Sequence, residues 1–125
     1  MLKDDAYLLE IVQACEKALK YVEAIDQVRF FSNEMLHDAV MLQLIVIGEA
    51  AKNLSDQFRE AHSEIPWSKI RATRNVVAHA YHIVDLERIW IAVTDGLPLI
   101  LNSLKPLVPS ENFSEEELPP TPDSV

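Results

Sequence analysis

The segment DAVMLQLIVIGEAAKNL, Asp38 to Leu54, constrains this chain more than any other, because it is apolar on nearly every side of a helical wheel. A helix touching the core along one stripe would show a polar face, so this one must be buried on two faces. With only two glycines in 125 residues, and Leu, Ala, Ile, Glu and Val dominant, there is little material for hairpins and much for long helices. The expected class is all-α: an antiparallel bundle of four main helices and one short extra helix.

The remaining helices follow from three-four spacing. Leu8, Ile11, Val12, Cys15, Leu19, Val22 and Ile25 predict a first helix from about residue 4 to 29, followed by a break at Phe30, Phe31 and Ser32. Ser32 or Asn33 caps the second, Asn33 to Leu54. A short polar helix or turn covers Ser55 to His62. The third main helix runs from Trp67 to Ala80, with Pro66 at its first position and Ser63 or Glu64 serving its free amides. Asp85 caps the fourth, Leu86 to about Leu107, whose apolar face includes Ile89, Val93, Leu97 and Leu104 and which Gly96 and Pro98 should kink. Residues 1–107 form one domain. Residues 108–125, acidic and proline-rich with little to bury, are expected to be a disordered tail.

The demand for two buried faces on Asn33–Leu54 suggests self-association, with Gly48, Ala50 and Ala51 allowing close approach of another helix. A homodimer is therefore expected. No stretch reaches the length of an apolar membrane span, and the first ten residues carry Asp4, Asp5 and Glu10 where a signal peptide would be basic. The expectation is a cytoplasmic protein with no membrane partner. Cys15 stands alone, which rules out an internal disulfide and a cysteine-rich zinc site and leaves a buried thiol.

A net charge of −9 argues against a broad nucleic-acid platform. Yet five of the 20 acids follow Lys105 and no base does, so the rest of the chain holds 15 acids against 11 bases. A local basic pocket remains compatible with that balance. The run RATRNVVAHAYHIVD, Arg71 to Asp85, is where chemistry concentrates: Arg74 precedes His79 by five positions, and Tyr81 follows by two. A cation, a group titrating near neutrality and a phenol suit phosphate chemistry. At 100° per residue, however, Arg74 and His79 leave one regular helix about 140° apart. They converge only if the helix ends or distorts near His79, or if a symmetric partner supplies half of the pocket.

Several readings in this run stay open. Asn75 can orient a phosphate or serve a helix contact, and Arg71 can meet RNA phosphate or a neighbouring acid. Glu49 can pair with Arg74 or Arg71. His82 has metal-ligand spacing from His79 but no completing carboxylate or cysteine, so neither a metal nor a cofactor is expected. His37 and His62 read as surface residues, Trp67 and Trp90 as core or interface anchors.

The segments IGEAAKNLS (Ile47–Ser55), EIPWSKIRATRN (Glu64–Asn75), HAYHIVD (His79–Asp85) and IW followed by GLPLIL (Ile89–Leu101) together resemble the HepT-like branch of the HEPN superfamily. Ala80 departs from the polar or acidic residue usual there. The resemblance implies a homodimeric helical toxin of a type II or type VII toxin–antitoxin system. Its activity would be metal-independent RNA endonuclease cleavage in a pocket on the two-fold axis, with Arg74 and His79 catalytic and Asn75 and Arg71 supporting. It also implies neutralisation by a minimal nucleotidyltransferase antitoxin that AMPylates Tyr81. The alternative is a non-catalytic helical dimer that binds the nucleotidyltransferase or a nucleotide through the same surface.

Overall fold

Asn33 opens the central helix by accepting a hydrogen bond from Leu36 N at 3.0 Å, as its side chain suggested. The computed structural model describes residues 3–83 and 85–109, and of residues 79–83 only the backbone. Among the described residues all regular structure is helical: α1 (Lys3–Val22), α2 (Gln27–Phe31), α3 (Glu34–Asn53), α4 (Asp56–Ala61), α5 (Trp67–Arg71), α6 (Thr73–Ile83), α7 (Leu86–Ile91) and α8 (Leu97–Leu104). A π-helical turn, Ala92–Gly96, joins the last two, and a 3₁₀ turn, Lys105–Leu107, ends the bundle. The all-α bundle of four main helices stands, with three short helices instead of one. The expected tail lies outside the described residues apart from Val108 and Pro109.

α1 and α3 form the heart of the core. Leu8, Ile11 and Cys15 of α1 and Val40, Leu44 and Ile47 of α3 are fully buried. At one end Asp4 accepts from Ser55 N at 2.7 Å and from Ser55 Oγ at 2.6 Å, so the start of α1 sits beside the end of α3 and the two run antiparallel. Ser55 Oγ also accepts from Phe58 N, capping α4. Burial pushes the Cys15 thiol up to about 12, with Glu16 adding to the rise, so it is an inert core group at neutral pH.

Four expectations need correction. The first helix stops at Val22, not near residue 29, because Asp26 accepts from Arg29 N at 2.9 Å and starts a new helix, α2. That short helix buries Phe30, whose carbonyl oxygen meets Nε2 of a buried His37; His37 is thus an internal link between α2 and α3, not a surface residue. The third main helix is broken at Ala72. Neither Ser63 nor Glu64 caps it: Pro66 occupies the cap position without a side-chain hydrogen bond. The fourth helix, by contrast, is distorted where Gly96 and Pro98 were expected to disturb it: it loses its regular register over the π turn just before Pro98, which has no N–H to donate to the preceding turn. Asp85 does cap its start, accepting from Arg88 N at 3.0 Å.

The most consequential correction concerns α3. Its two buried faces are covered within one chain, by α1 on one flank and by α5 and α6 on another. Burial of this helix therefore does not by itself call for a second protomer. Met35 and Leu42, seven residues apart on one line of α3, remain exposed.

Candidate active site

The break at Ala72 brings the functional segment against α3. Thr73 is buried, and its Oγ1 lies 2.8 Å from Ile70 O and 3.1 Å from Leu44 O, stitching the α5–α6 junction to the middle of α3. One turn further along α3, Gly48 meets the same junction. A Cβ there would fall 2.8 Å from Arg74 Cβ, 3.0 Å from Arg74 N and 3.1 Å from Arg71 O. Two of those three atoms are backbone, so only glycine permits the approach. The close approach expected of Gly48 is thus real, but the neighbour is α5–α6 of the same chain, not a helix across a dimer seam.

Pressed together in this way, α3 and α5–α6 leave an open hollow of about 400 Å³, lined by Glu49, Lys52, Ser68, Arg71, Arg74 and Asn75 beside Gly48. Glu49 Oε1 lies 2.7 Å from Arg74 Nη1. This realises one of the open alternatives for Glu49. Both groups are well exposed, so the pair contributes roughly 0–1 kcal/mol to stability and acts mainly by orienting the guanidinium. No acid among the described residues lies within 4.0 Å of Arg71 or Lys52. With three cations against one carboxylate, the hollow is locally basic in an acidic chain.

Of the sequence candidates, Arg74, Arg71 and Asn75 therefore share one hollow. The backbone at position 79 follows Asn75 by one turn of α6, and the helix continues without interruption to Ile83. Distortion thus falls at Ala72, upstream of Arg74, and the helix neither ends nor breaks at position 79. The roles expected of His79 and Tyr81, and the weighing of His82, concern side chains outside the described residues. Lys52 and Ser68 escaped sequence reasoning. Lys52 is one turn beyond Gly48 and Ser68 is three residues before Arg71, spacings that become informative only once the two segments are known to touch.

The described residues contain no group of three or more His, Cys, Asp or Glu placed to hold a metal ion. Nor do they contain a helix long and apolar enough to cross a membrane.

Residues 11–107 match the family described as ribonuclease HepT-like, and the chain belongs to that family. It is 34% identical over 84% of its length, and 94% of the relative's, to a protein of Caldanaerobacter subterraneus subsp. tengcongensis named "Putative RNase". It is 32% identical to the "Probable ribonuclease HepT" of Thermococcus cleftensis, covering 81% of this chain and 92% of that one. A "Putative RNase" of Methanocaldococcus jannaschii is 30% identical, over 76% and 87% of the two chains. No solved structure matches significantly. Family membership supports ribonuclease chemistry in general terms and agrees with the resemblance carried by the motifs.

Proposed function

We propose that this chain is a toxin endoribonuclease that cleaves RNA by proton transfer at His79 with phosphate stabilisation by Arg74. The observation that carries the reading is the cationic hollow centred on Arg74, one helical turn from position 79, in a member of the HepT-like ribonuclease family. In such a cleavage the base removes the proton of a ribose 2′-hydroxyl, and the 2′-oxygen attacks the adjacent phosphorus. The P–O5′ bond breaks, and an acid returns a proton to the leaving 5′-oxygen. Charge accumulating on the non-bridging oxygens is met by the Arg74 guanidinium, supported by Asn75, with Arg71 beside them to hold RNA.

Because α6 is continuous through position 79, positions 74 and 79 of its backbone lie about 140° apart around the helix axis, an awkward placement for a site within one protomer. A homodimer resolves this: Arg74 of one protomer and His79 of its partner meet at a two-fold axis, and two histidines divide the acid and base roles. Exposed Met35 and Leu42 lie on the line of α3 that leads, seven residues on, to Glu49, which favours that face as the contact. Purified protein should cut RNA, and Arg74→Ala and His79→Ala should each lower the rate by about 10²–10⁴-fold while keeping the helical circular-dichroism spectrum. Cleavage undiminished by both changes refutes the assignment.

In the same reading, a minimal nucleotidyltransferase antitoxin silences the toxin: the Tyr81 oxygen loses its proton and bonds the α-phosphorus of ATP, the α–β phosphoanhydride breaks and pyrophosphate leaves, so the attached AMP adds bulk and negative charge where RNA phosphate must enter. Intact-mass measurement after co-expression with such an enzyme should find one AMP per chain, lost in Tyr81→Phe. Inhibition with Tyr81 left unmodified refutes this step. The ion pair on Arg74 favours a second reading, a non-catalytic dimer that binds a nucleotidyltransferase or nucleotide, because the guanidinium is already engaged by Glu49. The cleavage assay separates the two.

A further inference from the structure

The hollow holds more cationic chemistry than the Arg-x4-His segment accounts for. Lys52, on the last turn of α3, and Arg71, at the end of α5, are both exposed and lack an acidic partner among the described residues. Two other cations are engaged elsewhere, Arg59 with Asp56 and the Ala51 carbonyl at the end of α3, and Lys105 at 3.7 Å from Glu16; what sets Lys52 and Arg71 apart is that both line the hollow beside Arg74. Ser68, exposed on α5, adds a hydroxyl to the same wall.

We propose that Lys52, Ser68 and Arg71 form a subsite for a backbone phosphate of single-stranded RNA, flanking the linkage that is cut. This rests on the ribonuclease reading and extends it to how an acidic protein holds its substrate. Ser68 and Arg71 of α5 and Asn75 of α6 line one wall of the hollow, and Asn75 lies one helical turn before position 79. Lys52 faces that wall from α3 across the Gly48 contact.

The chemistry of the lining selects the backbone. Among the described residues its lining offers no aromatic ring on which a base could stack, and its donors are an ammonium, guanidinium groups and a hydroxyl, all suited to phosphate oxygens. Its single carboxylate is already turned to Arg74. Because the rest of the surface is predominantly acidic, the field converges here, and the hollow is where a polyanion gains most and is repelled least. Binding should therefore be weakly sequence-dependent at this subsite and strongly salt-dependent.

The test uses the full chain carrying His79→Ala, to prevent cleavage, and a fluorescently labelled single-stranded RNA oligonucleotide followed by anisotropy across a salt series. Relative to this parent, Lys52→Ala and Arg71→Ala should each weaken binding several-fold and make the slope of log affinity against log salt shallower by about 0.7; together they should lower it by about 1.4. Lys52→Arg should restore the slope, which a purely structural role would not predict. Ser68→Ala should weaken binding without changing the slope, and Lys17→Ala, an exposed lysine outside the hollow, should match the parent. A double variant with the parent's slope overturns the subsite while leaving the ribonuclease reading intact. So does loss of affinity for a nucleoside triphosphate with RNA binding unchanged. A parent that binds no RNA at all overturns both.

Discussion

α3 carries two faces that behave differently. Toward α1 it presents Val40, Leu44, Ile47 and Ala51, all with no solvent exposure; toward α5–α6 it presents Gly48, Glu49 and Lys52, one residue of contact and two of charge. The first face holds the bundle together by burial, at roughly 25 cal/mol per Å² of apolar surface. The charged residues of the second add little to stability. Its use is geometric: removing a side chain at position 48 lets the α5–α6 junction come close enough for Arg71 and Arg74 to share a hollow with Lys52. One helix thus separates stability from chemistry by less than a turn.

The division can be broken from either side. Leu44→Ala, on the apolar face, should cost about 2–5 kcal/mol in denaturant unfolding, because the site is fully enclosed and cannot easily collapse. RNA cleavage by the molecules that remain folded should change far less. If stability is unaltered, the core assignment of α3 is wrong.

Gly48→Ala attacks the boundary itself. Helix propensity alone would favour alanine by about 1 kcal/mol, but the new methyl would meet backbone atoms of Arg74 and Arg71, so the junction must shift. The expected net effect is a loss of about 1–3 kcal/mol, as for overpacking, and a larger proportional loss of cleavage. Gly96→Ala is the matched control, since a Cβ there meets nothing within 4 Å. Equal responses of the two variants would show that the Gly48 contact does not position the site.

Glu49→Gln should have the smallest effect on stability, under about 1 kcal/mol, since an exposed ion pair is lost. RNA should bind more tightly, because the hollow loses the only carboxylate among its described lining residues and Arg74 loses its competitor. Weaker binding would mean that Glu49 positions Arg74 more than it competes for it.

Much of this was legible before any coordinates. The all-α class, the Asn33 and Asp85 caps and the buried Cys15 follow from local spacing and capping chemistry. The Arg74–Asn75–His79 segment stands out by composition and by its flanks. What misled was reasoning that treated segments as uniform. A single third helix over Trp67–Ala80 missed the break at Ala72, and a first helix extended to residue 29 overlooked Asp26 as a cap. His37 looked polar and hence exposed, because nothing local reveals that Phe30 folds back to meet its ring.

Sequence by itself determined which segments are helical, which stripes are apolar and which residues carry charge, since these depend on neighbours within a few turns. Only tertiary structure decided what covers α3. The two-sided burial that pointed to another protomer is satisfied by α1 and α5–α6 of the same chain, because helices distant in sequence pack wherever small residues let backbones approach. That same packing, at Gly48, gathered Lys52 and Ser68 around Arg71 and Arg74, a juxtaposition across the 15 residues between Lys52 and Ser68 that no periodicity encodes.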